Sequence, residues 1–102
     1  MSYTTILVRY QAQPGQADRA LSAIRHLVTA VLVREPACVD IEILQDVDRP
    51  EAITLIERWP DRESFMGPHM QQPHIQGFIE GAGAFLAGPP EISFYAGRDA
   101  VT

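Results

Sequence analysis

Along the chain the spacing of apolar positions changes with each element. Residues 4–11, TTILVRYQ, are dense in β-branched and aromatic side chains and stop at the turn signal Gln13-Pro14-Gly15, which predicts a strand followed by a break. From Gln16 to Arg34 the apolar side chains Ala17, Leu21, Ile24, Val28, Val31 and Leu32 recur every three or four residues, the spacing of an amphipathic helix. Pro36 ends it, because the residue before a proline is pushed out of the helical region. In CVDIEILQD, residues 38–46, Val39, Ile41 and Ile43 alternate with Asp40 and Glu42, a second strand with one buried face. AITLIERW, residues 52–59, makes the third. Its parity puts Ile53, Leu55, Glu57 and Trp59 on one face and Thr54, Ile56 and Arg58 on the other, with apolar side chains on both. Helices are expected over one face and a second subunit over the other.

Pro60 and Asp61 open a short helical segment through Met66, with Asp61 as its cap, and Gly67-Pro68 interrupts it. After Pro73, Ile75, Phe78, Ile79, Ala82, Phe85 and Leu86 keep a helical spacing until Gly88 and Pro89-Pro90 end it, although Gly77, Gly81 and Gly83 weaken that helix. EISFYA, residues 91–96, is the last strand, and residues 97–102 form a polar tail expected to fray. The order β-α-β-β-α-β predicts an α+β chain of the ferredoxin-like type, with four antiparallel strands under helices and the other sheet face in need of cover.

A length of 102 residues fits one domain over 1–102, and 46% hydrophobic with 21% charged residues is an ordinary globular composition. The net charge is −5, the arginines are scattered and lysine is absent, so no clustered positive surface is available and nucleic acid is not an expected partner. MSYTTILVRY has no basic n-region and Arg9 interrupts its apolar run, so it does not read as a secretory signal. No stretch approaches the ~18 consecutive apolar residues of a membrane span. The single cysteine, Cys38, forbids an intrachain disulfide, fits a reducing compartment and reads as a buried small hydrophobe. A cytoplasmic location is expected.

The stretch PHMQQPHIQG, residues 68–77, writes Pro-His twice. On one continuous helix positions five apart lie about 140° apart in azimuth, whereas two ligands of one ion normally sit at i and i+4. With Pro73 breaking the segment and no acidic neighbour at ligand spacing, a metal site is not expected. Both pairs fit helix starts, with His69 and His74 near the unpaired N–H groups of a first turn and held neutral there, the state a general base needs. Each histidine has a plain structural role or a pocket role open to it. Trp59, the lone tryptophan, is either a core anchor or an indole donating to a planar ligand, with Phe65, Met66, Phe78 and Phe85 as apolar walls or as plain core. Glu57 and Arg58 point to opposite faces, and Arg9 is the expected partner of a buried Glu57. His26, between Ile24 and Val28, is assigned no chemistry.

Taken together, ILVRYQAQPG at the start, EPAC before strand two, ERWPD at the end of strand three, HMQQPHIQGF and AGPPEISFY at the end resemble the antibiotic biosynthesis monooxygenase domain, in register over nearly the whole chain. The resemblance implies a homodimer in which two sheets pack face to face into a dimeric α/β barrel. It also implies a small oxygenase needing no flavin, haem or metal, acting on an electron-rich aromatic molecule such as a quinol. His69, with His74 second, is then the base, and Trp59 the donor to developing charge. The departures carry information too. Ala37 stands where the family usually has glycine, and Val8 precedes Arg9 where the haem-degrading branch has asparagine, which points away from haem turnover. Phe65 and Leu55 replace the tyrosine and asparagine of the best-described quinone-forming branch. Residues 59–73 are one residue longer than the usual spacing. A non-catalytic binding role, and an isomerase or cyclase on the same scaffold, stay open.

Overall fold

The break after the first strand is made by Gly15, whose φ of 77° lies in the left-handed region that side chains resist. From there the computed structural model, which describes residues 3–101, runs in the expected order. β1 (Thr4–Gln11) leads to α1 (Ala17–Arg34), β2 (Asp40–Gln45) and β3 (Ala52–Trp59), then α2 (Arg62–Met66), a 3-10 turn at His69–Gln71, α3 (Pro73–Gly81), a second 3-10 turn at Ala82–Ala84, and β4 (Glu91–Ala96). The strands form one open antiparallel sheet in the order β2-β3-β1-β4. This is the ferredoxin-like α+β arrangement.

Register fixes what each face carries. Ile6 lies opposite Glu57 and Phe94, Val8 opposite Leu55 and Ile92, and Tyr10 opposite Ile53, so these side chains share one face. Ala20, Ile24, Leu27, Val28 and Val31 of α1 pack into the same core as Ile6, Val8, Ile53, Leu55 and Trp59. The opposite face carries Thr5, Leu7, Arg9, Thr54, Ile56 and Arg58, all half-buried or exposed.

Local chemistry explains the element ends. Asp61 caps α2 by accepting from the Ser64 N–H at 2.7 Å, and Pro73 occupies the first turn of α3. Gly67 relieves a tight spot, since a Cβ there would sit 3.0 Å from the Glu63 carbonyl oxygen. No non-glycine residue among those described has a positive φ, so Ala37 turns the chain without the conformation that glycine favours.

Four expectations need correction. The helix after Pro73 ends at Gly81, and Phe85 and Leu86 lie beyond it, with Leu86 bridging to Ala12; Gly77, Gly81 and Gly83 supply too little helix propensity to carry it further. The buried stripe of α1 runs through Ala20 and Leu27, while Leu32 is exposed. Val39 precedes β2 and is likewise exposed. Arg9 does not pair with Glu57: they occupy opposite faces, and Arg9 donates to Ser93 Oγ at 3.2 Å.

Candidate functional site

Glu57 shares the covered face with Trp59 because they are two residues apart on β3, and the indole Nε1–H donates to Glu57 Oε1 at 2.9 Å. Glu57 is only 4% exposed. Burial pushes its pKa up to about 7; the Trp59 hydrogen bond opposes the rise and the charge of Glu35 adds to it.

Glu35 follows the last residue of α1 and is buried beneath the segment 69–74. His69 Nδ1 lies 2.9 and 3.0 Å from its two carboxylate oxygens, and His74 Nε2 lies 2.6 Å from Oε2. An ionised carboxylate only accepts, so it assigns the protons to His69 Nδ1 and His74 Nε2. The lone pair of His69 Nε2 is then left without an internal partner among the described residues. Burial lowers the His69 pKa below the ordinary imidazole value, against the opposing effect of Glu35, which keeps the ring neutral near pH 7. Glu35 orients His69 as a carboxylate orients the base in a nucleophile–base–carboxylate triad.

Between the covered sheet face and the helices lies a cavity of about 510 Å³. Val8, Leu55 and Ile92 line it from the sheet, Leu27, Val28 and Val31 from α1, and Ile75 and Phe78 from α3. Its side-chain polar groups are those of Tyr10, Glu57 and His69. Its rim includes the exposed Gly83, Gly88 and Pro89. That volume suits a ligand of two or three fused rings.

The site residues expected from sequence divide into two groups. His69, Phe65 and Phe78 line the cavity. Trp59 stands behind it, with ring centroids 4.7 Å from His69 and 5.8 Å from Phe65, and its N–H is taken by Glu57 instead of being offered to a ligand. Met66 is 50% exposed and away from the cavity, where Met70 sits in its stead. Phe85 packs edge-on to Phe78 at 5.8 Å, and with His74 it borders a shallow groove between α1 and α3. His74 therefore anchors Glu35 and does not face the cavity, and neither histidine makes a side-chain cap bond. Its Nδ1 is buried without a partner.

Sequence reasoning missed Glu35 and Tyr10, and gave Glu57 the wrong partner. Glu35 stood in the EPAC motif, and Tyr10 shares the parity of Ile6 and Val8. Cys38 is buried, and burial together with the charges of Glu57, Glu35 and Asp40 pushes its thiol up to about 12, which leaves it unreactive. Among the described residues no three His, Cys, Asp or Glu side chains are placed to hold a metal ion, and no helix is long and apolar enough to cross a membrane.

Comparison with known proteins bears on the fold. A Pseudomonas aeruginosa protein, PA3566, superposes with a TM-score of 0.84 at 24% identity, covering 97% of each chain. A conserved protein of Methanosarcina mazei Go1 gives 0.80 at 23% identity, over 93% of this chain and 92% of its own. A Bordetella bronchiseptica protein provisionally named an antibiotic biosynthesis monooxygenase gives 0.81 at 16% identity, over 99% of this chain and 100% of its own. At these identities the likeness is one of fold. No curated protein matches the chain. Residues 4–81, which carry Glu35, Glu57, Trp59, His69 and His74, match the family described as antibiotic biosynthesis monooxygenase, and the chain belongs to that family.

Proposed function

We propose that the cavity is the substrate site of a cofactor-independent monooxygenase that oxidises a small electron-rich aromatic molecule, a quinol or polyketide-type phenol, with O₂. The observation that carries it is the pairing of a neutral His69, held by Glu35, with Glu57 on the wall of one apolar cavity. Two titratable groups with pKa values displaced in opposite directions divide the work of base and acid. His69 Nε2 takes a proton from the substrate, and the resulting anion passes one electron to O₂. Recombination of the two radicals forms a C–O bond to the substrate carbon. His69 returns its proton to the peroxide, and loss of water leaves a carbonyl. For an anthrone-type CH₂ carbon the balance is CH₂ + O₂ → C=O + H₂O. Glu57, at a pKa of about 7, is partly protonated near neutrality and donates to oxygen as charge develops there. The apolar lining excludes water from the reduced oxygen species.

The same two groups also suit a second reaction class. A proton moved from one carbon to its neighbour needs one acceptor and one donor in a dry pocket, which is an isomerisation and consumes no O₂. Incubating the purified protein with a panel of quinols and anthrone-like phenols, while following O₂ uptake and product, separates the readings. Uptake above the spontaneous rate supports oxygenation. Product without uptake supports isomerisation, and binding with neither leaves a carrier.

The open sheet face supports a homodimer assembled through it. Leu7 and Ile56 occupy its two central strands, where water is a poor neighbour for aliphatic side chains.

A further inference from the structure

Tyr10 is the one polar cavity residue without a role in that proton chemistry. It sits on β1 opposite Ile53, whereas Glu57 sits opposite Ile6, so the two enter the cavity from rungs four residues, or ~13 Å, apart along the strand. The rung between them is Val8 with Leu55, which is wholly apolar. The Tyr10 ring is pinned edge-on against Phe78 at 5.8 Å, and the residue is only 8% exposed. Its hydroxyl makes no side-chain hydrogen bond among the described residues and is not one of their fully buried polar atoms, so on this cavity-lining residue the oxygen is open and free to donate. Burial, and after it the charge of Glu57, raises its pKa well above the ordinary phenol range, so the group is a donor at every working pH.

We infer that Tyr10 is a specificity-determining residue, whose hydroxyl donates to a second oxygen of the substrate at the end of the cavity away from Glu57 and His69. The preferred ligand is then a flat apolar body with oxygen functions at opposite ends. A ring system with one oxygen leaves the Tyr10 hydroxyl unpaired and is discriminated against, because an unpaired buried donor costs more than a well-made bond returns. This inference rests on the cavity being the substrate site.

The test uses anaerobic binding, read through the fluorescence of Trp59, with naphthalene-1,4-diol and 1-naphthol as probes. Wild type should bind the diol about tenfold more tightly than the mono-ol. Tyr10→Phe, which keeps the ring and its contact with Phe78, should erase that preference by weakening the diol about tenfold while leaving 1-naphthol within about twofold. An equal loss for both probes, or no loss for either, overturns the assignment of Tyr10 and leaves the cavity as the site. Failure of wild type to bind either probe overturns the cavity reading and this inference with it.

Discussion

The two faces of one sheet are built from alternate residues of the same strands, yet they do different chemistry. Glu57 and Arg58 are neighbours in sequence. Glu57 turns under the helices, loses its water, takes the Trp59 N–H and has its carboxyl pushed up to about 7. Arg58 turns outward and pairs with Asp40 at 2.9 Å, with side chains 48% and 52% exposed, where solvent screens the attraction. Burial, more than residue type, raises the pKa of one charged side chain and leaves the other in an ordinary surface ion pair. The covered face holds the cavity; the open face carries Leu7 and Ile56, and the proposed homodimer would assemble there.

The largest expected effect tests that second assignment. Ile56→Asp places a charge in the middle of the open face and should halve the apparent mass from dimer to monomer in sedimentation or size exclusion. A wild type that is monomeric at every concentration contradicts the pairing.

The next tests the covered face through pH. The folded pKa of Glu57 is raised above the ordinary value of 4.5, so the folded state binds the extra proton. Its contribution is fully present below pH ~4.5 and is lost as pH rises through about 7, a swing on the order of 3 kcal/mol. His69 acts in the opposite sense: its lowered pKa costs stability as pH falls below ~6.5. Glu57→Gln should therefore lose much less stability than wild type between pH 5 and pH 8 in urea denaturation. Parallel profiles would show that Glu57 is not buried in this way. The smallest effect belongs to the surface pair: Arg58→Ala should change stability by less than ~0.5 kcal/mol, and a loss several times larger would erase the contrast between the faces.

Much of the covered face was legible in sequence. β3 runs over Ala52–Trp59 as the alternation of AITLIERW required, because a period of two states both strand and face at once. The Asp61 cap and the Pro73 start were legible for the same local reason. Glu35 was not, since it meets His69 and His74 across 34 and 39 residues, and no periodicity reports a contact made by packing a helix end beneath a later segment. Met66 was misplaced because Gly67-Pro68 ends α2 and restarts the chain as a 3-10 turn, which brings Met70 to the cavity instead. Trp59 packs against His69 behind the cavity, and the destination of its N–H depended on Glu57 sharing its face. The expected Arg9 partner required a charge to cross the sheet, which the parity of β1 forbids.

The most direct test of the central claim is the rate of O₂ uptake by wild type and by His69→Ala on the same oxidisable phenol across pH. Uptake should run well above the spontaneous rate in wild type and fall roughly 100-fold or more in His69→Ala, the usual share of a positioned general base. The wild-type rate should also fall on the acid side as His69 takes up a proton below the ordinary imidazole value. Equal rates for the two proteins, or no uptake by wild type on any phenol of the panel, would contradict that claim.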